Sequence, residues 1–354
     1  MDSEAIDTVS RVVHGGDTDP DVLDFSANTN PVSPAGTRNV YEAAFDRARR
    51  YPDPAYPAFR TAAATYLDWE RSAAANGTTS DSIAHDDGPS PTIVPTAGGL
   101  IGIRLALECE LSAGDSAIVP TPSFSEYARE VRLQGATPTF VDHNRVLDID
   151  PADHALAIVC NPNNPTGETY DRDRLEQFAA RCTAADTTLL VDEAFLDFTR
   201  ESSMADRQGV VVARSLTKIF GLPGLRAGFL ATTDSLAERL VTAQPTWGLS
   251  TPAAAVGEHC LGRTVFVEET IDRVEHERER LADRLADRFE VLPSDAPFLL
   301  LEVPDVSVDR IIDRAREHGV AIRDARSFRG LDSHVRVAVK RRSENDRLLE
   351  ALDV

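Results

Sequence analysis

Lysine is nearly missing from this chain. Of 354 residues only Lys218 and Lys340 are lysines, so the 37 basic residues include 35 arginines. Basic charge as a whole is short: 58 acidic residues oppose it, and the formal net charge is −21. That balance excludes a nucleic-acid partner, whose phosphates need a basic face, and an anionic membrane surface. No apolar run approaches the roughly 20 residues of a membrane helix. The opening MDSEAIDTVSRVV is acidic and has no apolar signal core, so a cytoplasmic protein is expected. Cysteine is scarce too. Cys109, Cys160, Cys182 and Cys260 lie far apart, which excludes C-x-x-C and Cys/His metal spacing; reduced thiols and no metal are expected. The acidic residues are scattered, as in DTDPDVLD and RESSMADR, with no single acidic tail. With so little lysine this reads as the surface of a halophilic protein, where salt screens the self-repulsion.

What is present is a regular alternation of elements. Apolar runs at 117–120, 139–141, 156–160, 188–191, 210–213 and 227–231 are continuous rather than alternating, so both faces of each strand should be covered. Helical patterns such as 125–134 and 171–184 separate them. The order predicts an α/β fold, a mostly parallel sheet with helices on both faces. From about Pro252 the texture changes. A long charged helix carries Phe266, Ile271, Val274, Leu281, Leu285 and Phe289 on one face, and FLLLEV, a helix at 308–318, VAIR and HVRVAVK follow. These predict a smaller α+β C-terminal domain. The expected division is an N-terminal arm at 1–40 packing with the small domain, a large domain at 41–250 and a small domain at 251–354. The Ser-, Gly- and Asp-rich stretch 71–91 reads as a surface loop or a poorly ordered insertion.

The kept amine at Lys218 is the most informative residue. It stands in RSLTKIFGLPGLRAGF, with Ser215 three residues before it and Arg226 eight after. An amine can form a Schiff base with an aldehyde, whereas a guanidinium stays protonated. Serine and the arginine fork suit a phosphate. Pro95-Thr-Ala-Gly-Gly-Leu100 precedes a helical pattern whose backbone N–H groups can also meet a phosphate, which brings in Ala97 and Gly98. Asp192 follows the run TLLV; there it is either a helix cap or the partner of a pyridine nitrogen. Asn164, in NPNNPTG, is part of a turn that also follows a strand, and Phe124 is an aromatic able to stack on a planar ring. Together these parts fit one cofactor, pyridoxal 5′-phosphate.

Across nearly its whole length, from LDFSANTNP to HVRVAVK, the chain resembles the fold-type I, aspartate-aminotransferase-like family of pyridoxal-phosphate enzymes. The resemblance implies that Lys218 is the Schiff-base lysine, Asp192 the ring-nitrogen partner, Asn164 the donor to the ring's phenolic oxygen and Phe124 the stacking ring. Ala97, Gly98, Ser215 and Arg226 resemble the phosphate cup. Tyr51, in RYPDP, resembles a tyrosine that reaches the phosphate from the other subunit, which implies a homodimer with shared active sites. Arg336 and Arg323 resemble ligands of the substrate's anionic groups, and His14 and Asn30 are further substrate candidates. Two branches share these features. His14-Gly15-Gly16, LDFSANTNP, DEAF followed by Asp197-Phe198, RSLTK and Pro245-Thr246-Trp247 resemble the threonine-phosphate decarboxylase branch of cobalamin synthesis. That branch implies decarboxylation of O-phospho-L-threonine to (R)-1-amino-2-propanol O-phosphate. YPDP, NPNNPTG, DEA and GLPGLRAG are shared with histidinol-phosphate aminotransferases, the alternative, which use 2-oxoglutarate. A third possibility, a binding module that kept the fold without catalysis, is opposed by the intact Lys218, Asp192, Asn164 and Arg226.

Overall fold

The computed structural model describes residues 1–77, 90–304 and 307–354. Among the described residues thirteen strands form three sheets. The first strand, β1 (Leu23–Asp24), stands apart from the main sheet, which comprises β2 (Thr92–Thr96), β3 (Ser116–Thr121), β4 (Thr137–Asp142), β5 (Leu156–Cys160), β6 (Thr188–Asp192), β7 (Val210–Ser215) and β8 (Gly228–Thr232). The C-terminal part adds β9 (Glu290–Val291), β10 (Phe298–Glu302), β11 (Val320–Ala321), β12 (Arg323–Asp324) and β13 (His334–Ala338).

The main sheet runs β2-β8-β7-β6-β5-β3-β4. All its pairings are parallel except those of β8, which is antiparallel to both β7 and β2. Strands β5 to β8 are almost wholly buried runs because both faces are covered, whereas the edge strand β4 is only partly buried. Leu189 and Val191 join the core on one face, while Leu190 joins the core on the other, as a period of two requires. The direction of the strands decides where chemistry can gather. The carboxyl ends of β3, β5, β6 and β7 and the amino end of β8 share one edge of the sheet. Ligands of such sheets collect there.

A second sheet, β12-β13-β10-β9, is antiparallel throughout, and β1 pairs in parallel with β11. The N-terminal segment is thereby tied to the C-terminal part; Phe25 N donates to Ala321 O at 2.7 Å, and Phe25 O accepts from Ala338 N at 3.0 Å. The long helix Thr264–Leu285 buries Val267, Ile271, Val274, Leu281 and Leu285, a helical spacing.

Two expectations need correction. The stretch expected as a loop from residue 71 continues the helix Pro57–Gly77 up to its end, because the alanines after Ser72 are the strongest helix formers. The remainder of that stretch, 78–89, lies outside the described residues. The antiparallel strand β2 was not among the expected strands; its run is short and contains Pro95. Among the described residues no helix is long and apolar enough to cross a membrane.

Candidate active site

A cavity of about 360 Å³ opens at the shared edge of the main sheet. Nine of the sequence-identified residues line it: His14, Phe124, Asn164, Asp192, Ser215, Lys218, Arg226, Arg323 and Arg336. They arrive from the N-terminal segment, from the segments after β3 and β5, from the ends of β6 and β7, from the turn before β8, and from β12 and β13.

Lys218 sits in a short helix, Leu216–Ile219, at the end of β7. Burial first, then the charges of Arg336 and Arg226, bring its amine down to about 8, against a smaller opposite pull from Asp192. The turn is held by a residue assigned another role from the sequence. Asn30 does not reach the cavity. Its backbone N donates to Lys218 O at 3.1 Å and its Nδ2 to Ile219 O at 2.7 Å, while its Oδ1 accepts Arg273 Nη2 at 2.8 Å. Its amide is thus engaged in bracing the lysine turn, and the substrate role expected for it is corrected. Asn28, two residues earlier, lines the cavity, and its buried Oδ1 has no hydrogen-bond partner among the described residues.

Asp192 ends β6 and is buried. Burial raises its pKa; the Tyr127 hydroxyl and the Ala194 N–H, donating to its two oxygens, oppose that rise. Tyr127 was not identified from the sequence, where it reads only as an apolar helix position three residues after Phe124. Those two rings meet edge to face at 5.5 Å.

Ala97 and Gly98 themselves lie behind the wall; Gly99 and Leu100, the start of the helix Gly99–Glu110, face the cavity. Gly98 has φ +90°, and a Cβ there would come within 2.5 Å of Arg226 Nη2. A Cβ on Gly99 would meet Ser215 Cβ at 3.3 Å. The helix start, Ser215 and Arg226 are therefore packed into one cradle of N–H, O–H and guanidinium donors. Helix N-termini and arginine forks both favour an anion.

Arg323 and Arg336 face each other across the β12–β13 pair. Both are buried, and neither pairs with a carboxylate among the described residues. Arg336 Nη1 donates to Asn164 Oδ1 and Nη2 to Ser26 O, and its Nε has no partner among the described residues. Burial, then the charge of Arg323, lowers the Arg336 pKa. His14 Nε2 lies 2.8 Å from Glu126 Oε1, and its ring is 5.7 Å from that of Phe124. Phe195 also lines the cavity, edge-on to Phe298 at 5.1 Å. Tyr51 lies outside the cavity of its own chain, 77% exposed and stacked on Trp247 at 4.2 Å.

A buried amine, a buried acid and an anion cradle at the carboxyl edge of a doubly covered sheet define a fold-type I enzyme of amino-group chemistry. The chain matches the family model "Aminotransferase class I and II" over residues 20–352, and it belongs to that family. It is 29% identical to histidinol-phosphate aminotransferase 1 of Archaeoglobus fulgidus, over 94% of this chain and 98% of that one. It is 30% identical to threonine-phosphate decarboxylase of Salmonella typhimurium, over 94% of this chain and 90% of that one. Among solved structures, the histidinol-phosphate aminotransferase from Clostridium acetobutylicum superposes with a TM-score of 0.79 at 25% identity, covering 94% of this chain and 98% of that one.

Membership of this family carries the cofactor pyridoxal 5′-phosphate. The residues present fit that group: the glycine-backed cradle suits its phosphate, Asp192 its ring nitrogen, Phe124 its ring face and Lys218 its aldehyde carbon. The cavity volume lies in the range of ordinary small-molecule sites.

Proposed function

We propose that this chain decarboxylates O-phospho-L-threonine to (R)-1-amino-2-propanol O-phosphate, a cytoplasmic step of cobalamin biosynthesis. The observation that carries this reading is the pair of buried arginines, Arg323 and Arg336, with no carboxylate partner among the described residues. Phosphothreonine brings two anionic groups on one small molecule, a carboxylate and a phosphate, and two guanidinium forks can take one each. Histidinol phosphate brings one anionic group and an imidazole, whereas Phe124, Phe195 and Phe328 give the remaining wall an apolar character. His14 would be a further phosphate ligand, oriented by Glu126.

When bound, the cofactor supplies a sink for the electrons left on the substrate's α-carbon. Whichever of Arg336 and Arg323 takes the substrate carboxylate would set its direction. One such direction would favour loss of the carboxylate as carbon dioxide, and Lys218 Nζ would then deliver a proton to the α-carbon. The other would retain the carboxylate, and Lys218 Nζ would take the α-proton instead. Asp192 would keep a proton on the ring nitrogen, and Asn164 would donate to the ring's phenolic oxygen. A tyrosine at position 195 would add a second donor to that oxygen; Phe195 cannot.

Transamination of histidinol phosphate with 2-oxoglutarate is the second reading, since 2-oxoglutarate also carries two anionic ends. The two kinds of relative are equally similar to this chain. The homodimer with shared sites is part of the proposal, with Tyr51 reaching the neighbouring cofactor phosphate. The exposed Tyr41, Phe45, Tyr51 and Trp247 support it, because exposed apolar groups on this scale favour a protein contact. Purified protein, loaded with the cofactor and given phosphothreonine without any keto acid, should release carbon dioxide. Keto-acid-dependent amino transfer without gas would refute the decarboxylase reading.

A further inference from the structure

The densest buried charge in the described structure lies behind the cavity rather than in it. Arg214 is 1% exposed and meets three buried carboxylates. Its Nη1 donates to Glu70 Oε2 and to Glu193 Oε2, both at 3.1 Å. Its Nη2 donates to Glu70 Oε1 at 2.6 Å and to Asp197 Oδ1. The cluster is finished by neutral donors: Tyr66 OH to Asp197 Oδ1 at 2.6 Å, Ser203 Oγ to Glu193 Oε2 at 2.7 Å and Met204 N to Glu193 Oε1 at 2.8 Å.

Stability is a poor reason for four such groups. A buried ion network is often no better than well-packed apolar residues of the same volume, because desolvation consumes the Coulombic gain. What a fully partnered network does supply is fixed geometry. The backbone shows what is fixed. Glu193 directly follows Asp192, and Arg214 directly precedes Ser215. Their strands are neighbours, with Asp192 opposite Ala213, and Glu193 N donates to Ala213 O at 3.0 Å. Successive side chains along extended chain leave on opposite sides. Gripping Glu193 and Arg214 from behind therefore sets where Asp192 and Ser215 stand in front. Asp197 belongs to the turn after Asp192, and Glu70 brings in the outer helix Pro57–Gly77.

We propose that Arg214, with Glu70, Glu193 and Asp197, is a positioning device that holds the Asp192 carboxylate and the Ser215 hydroxyl in register for the cofactor's ring nitrogen and phosphate. It explains why Glu193 and Asp197 of DEAF-x-DF occur together with the arginine of RSLTK, although none of these three lines the cavity. The inference holds for either proposed substrate, and it rests on Asp192 and Ser215 serving the cofactor.

The test uses the full chain stripped of cofactor and reloaded. Glu193→Gln keeps the shape of the side chain but removes its charge, and Tyr66→Phe removes a single bond at the cluster's edge and guards against a variant that fails to fold. For Glu193→Gln we expect pyridoxal phosphate, titrated by absorbance, to bind about tenfold more weakly, the size of effect found when a supporting partner of a site group is lost. The turnover number should fall while the substrate KM stays unchanged. Tyr66→Phe should show the same pattern in weaker form. Unchanged cofactor affinity in both variants, with only a lowered melting temperature of the cofactor-free protein, overturns the proposal. Asp192→Asn is the control: if it too leaves cofactor binding unchanged, the assignment of Asp192 has failed rather than that of the cluster.

Discussion

The lowered pKa of Lys218 makes a prediction that is independent of the substrate. An ordinary lysine amine titrates at 10.5, whereas this one is brought to about 8, chiefly by burial and then by Arg336 and Arg226. At pH 7 about one amine in ten is then unprotonated, instead of about one in three thousand, a gain of roughly 300-fold in the form that attacks an aldehyde. The free-energy equivalent is about 3 kcal/mol. The assay is the rate at which cofactor-free protein takes up pyridoxal phosphate, followed by absorbance. Borohydride fixation and mass spectrometry then locate the adduct on Lys218. The rate should rise with pH and level off just above 8. Arg336→Gln removes a nearby positive charge, so its midpoint should move upward and its rate at pH 7 should fall. The same shift bears on stability. Between about pH 8 and 10.5 the unfolded chain binds this proton and the native chain does not, so native stability rises with pH through that window. Below it the native state carries the full cost, and cofactor-free Lys218→Met should be more stable than the parent at pH 7 by up to about 3 kcal/mol. A rate that climbs tenfold per pH unit to pH 10 without levelling would refute the reasoning, as would an adduct on another residue.

Two further outcomes follow from other parts of the molecule. Asn30→Ala removes the side-chain bonds to Ile219 O and from Arg273 and leaves buried polar groups unpaired, so it should cost about 2 kcal/mol in chemical denaturation and lower turnover by loosening the lysine turn; a variant with parental turnover would show that the brace has no catalytic role. Because the chain carries a net charge of −21, its melting temperature should rise as potassium chloride is increased from about 0.1 M to about 1 M, where the screening length falls from about 10 Å to about 3 Å. A flat profile would remove the case for salt adaptation.

The central strands of the main sheet were legible because burial on both faces turns each into an unbroken apolar run, whereas β2, short and interrupted by Pro95, was not; several cavity residues were legible because they follow those runs. Where a side chain's role depends on partners far along the chain, that logic stops. Asn28 and Asn30 are separated by one residue in a segment outside any strand, so no periodicity says which one faces a cavity. Only the fold, by placing Asn30 against the Lys218 turn, separates them. Tyr127 reads as one more apolar position of the helix Glu126–Leu133 until β6 brings the Asp192 carboxylate to its hydroxyl. Glu70 lies 144 residues before Arg214 in an alanine-rich helix and carries no local mark of its partner.

Charge shows the same limit more sharply. With 58 acidic and 37 basic residues, the composition supplies a carboxylate for every guanidinium. Three arginines are nonetheless buried among the described residues, and they are treated in opposite ways. Arg214 is given three carboxylates and lies behind the sheet edge. Arg323 and Arg336 are given none and line the cavity. In a chain so rich in acids, two buried cations without carboxylates are unlike the rest of its electrostatics, and burying a cation without a counter-ion is costly. That cost is offset only when an anion arrives from outside. On the proposed function that anion would come from the substrate, so its identity, and not the cofactor, would separate the decarboxylase from the aminotransferase.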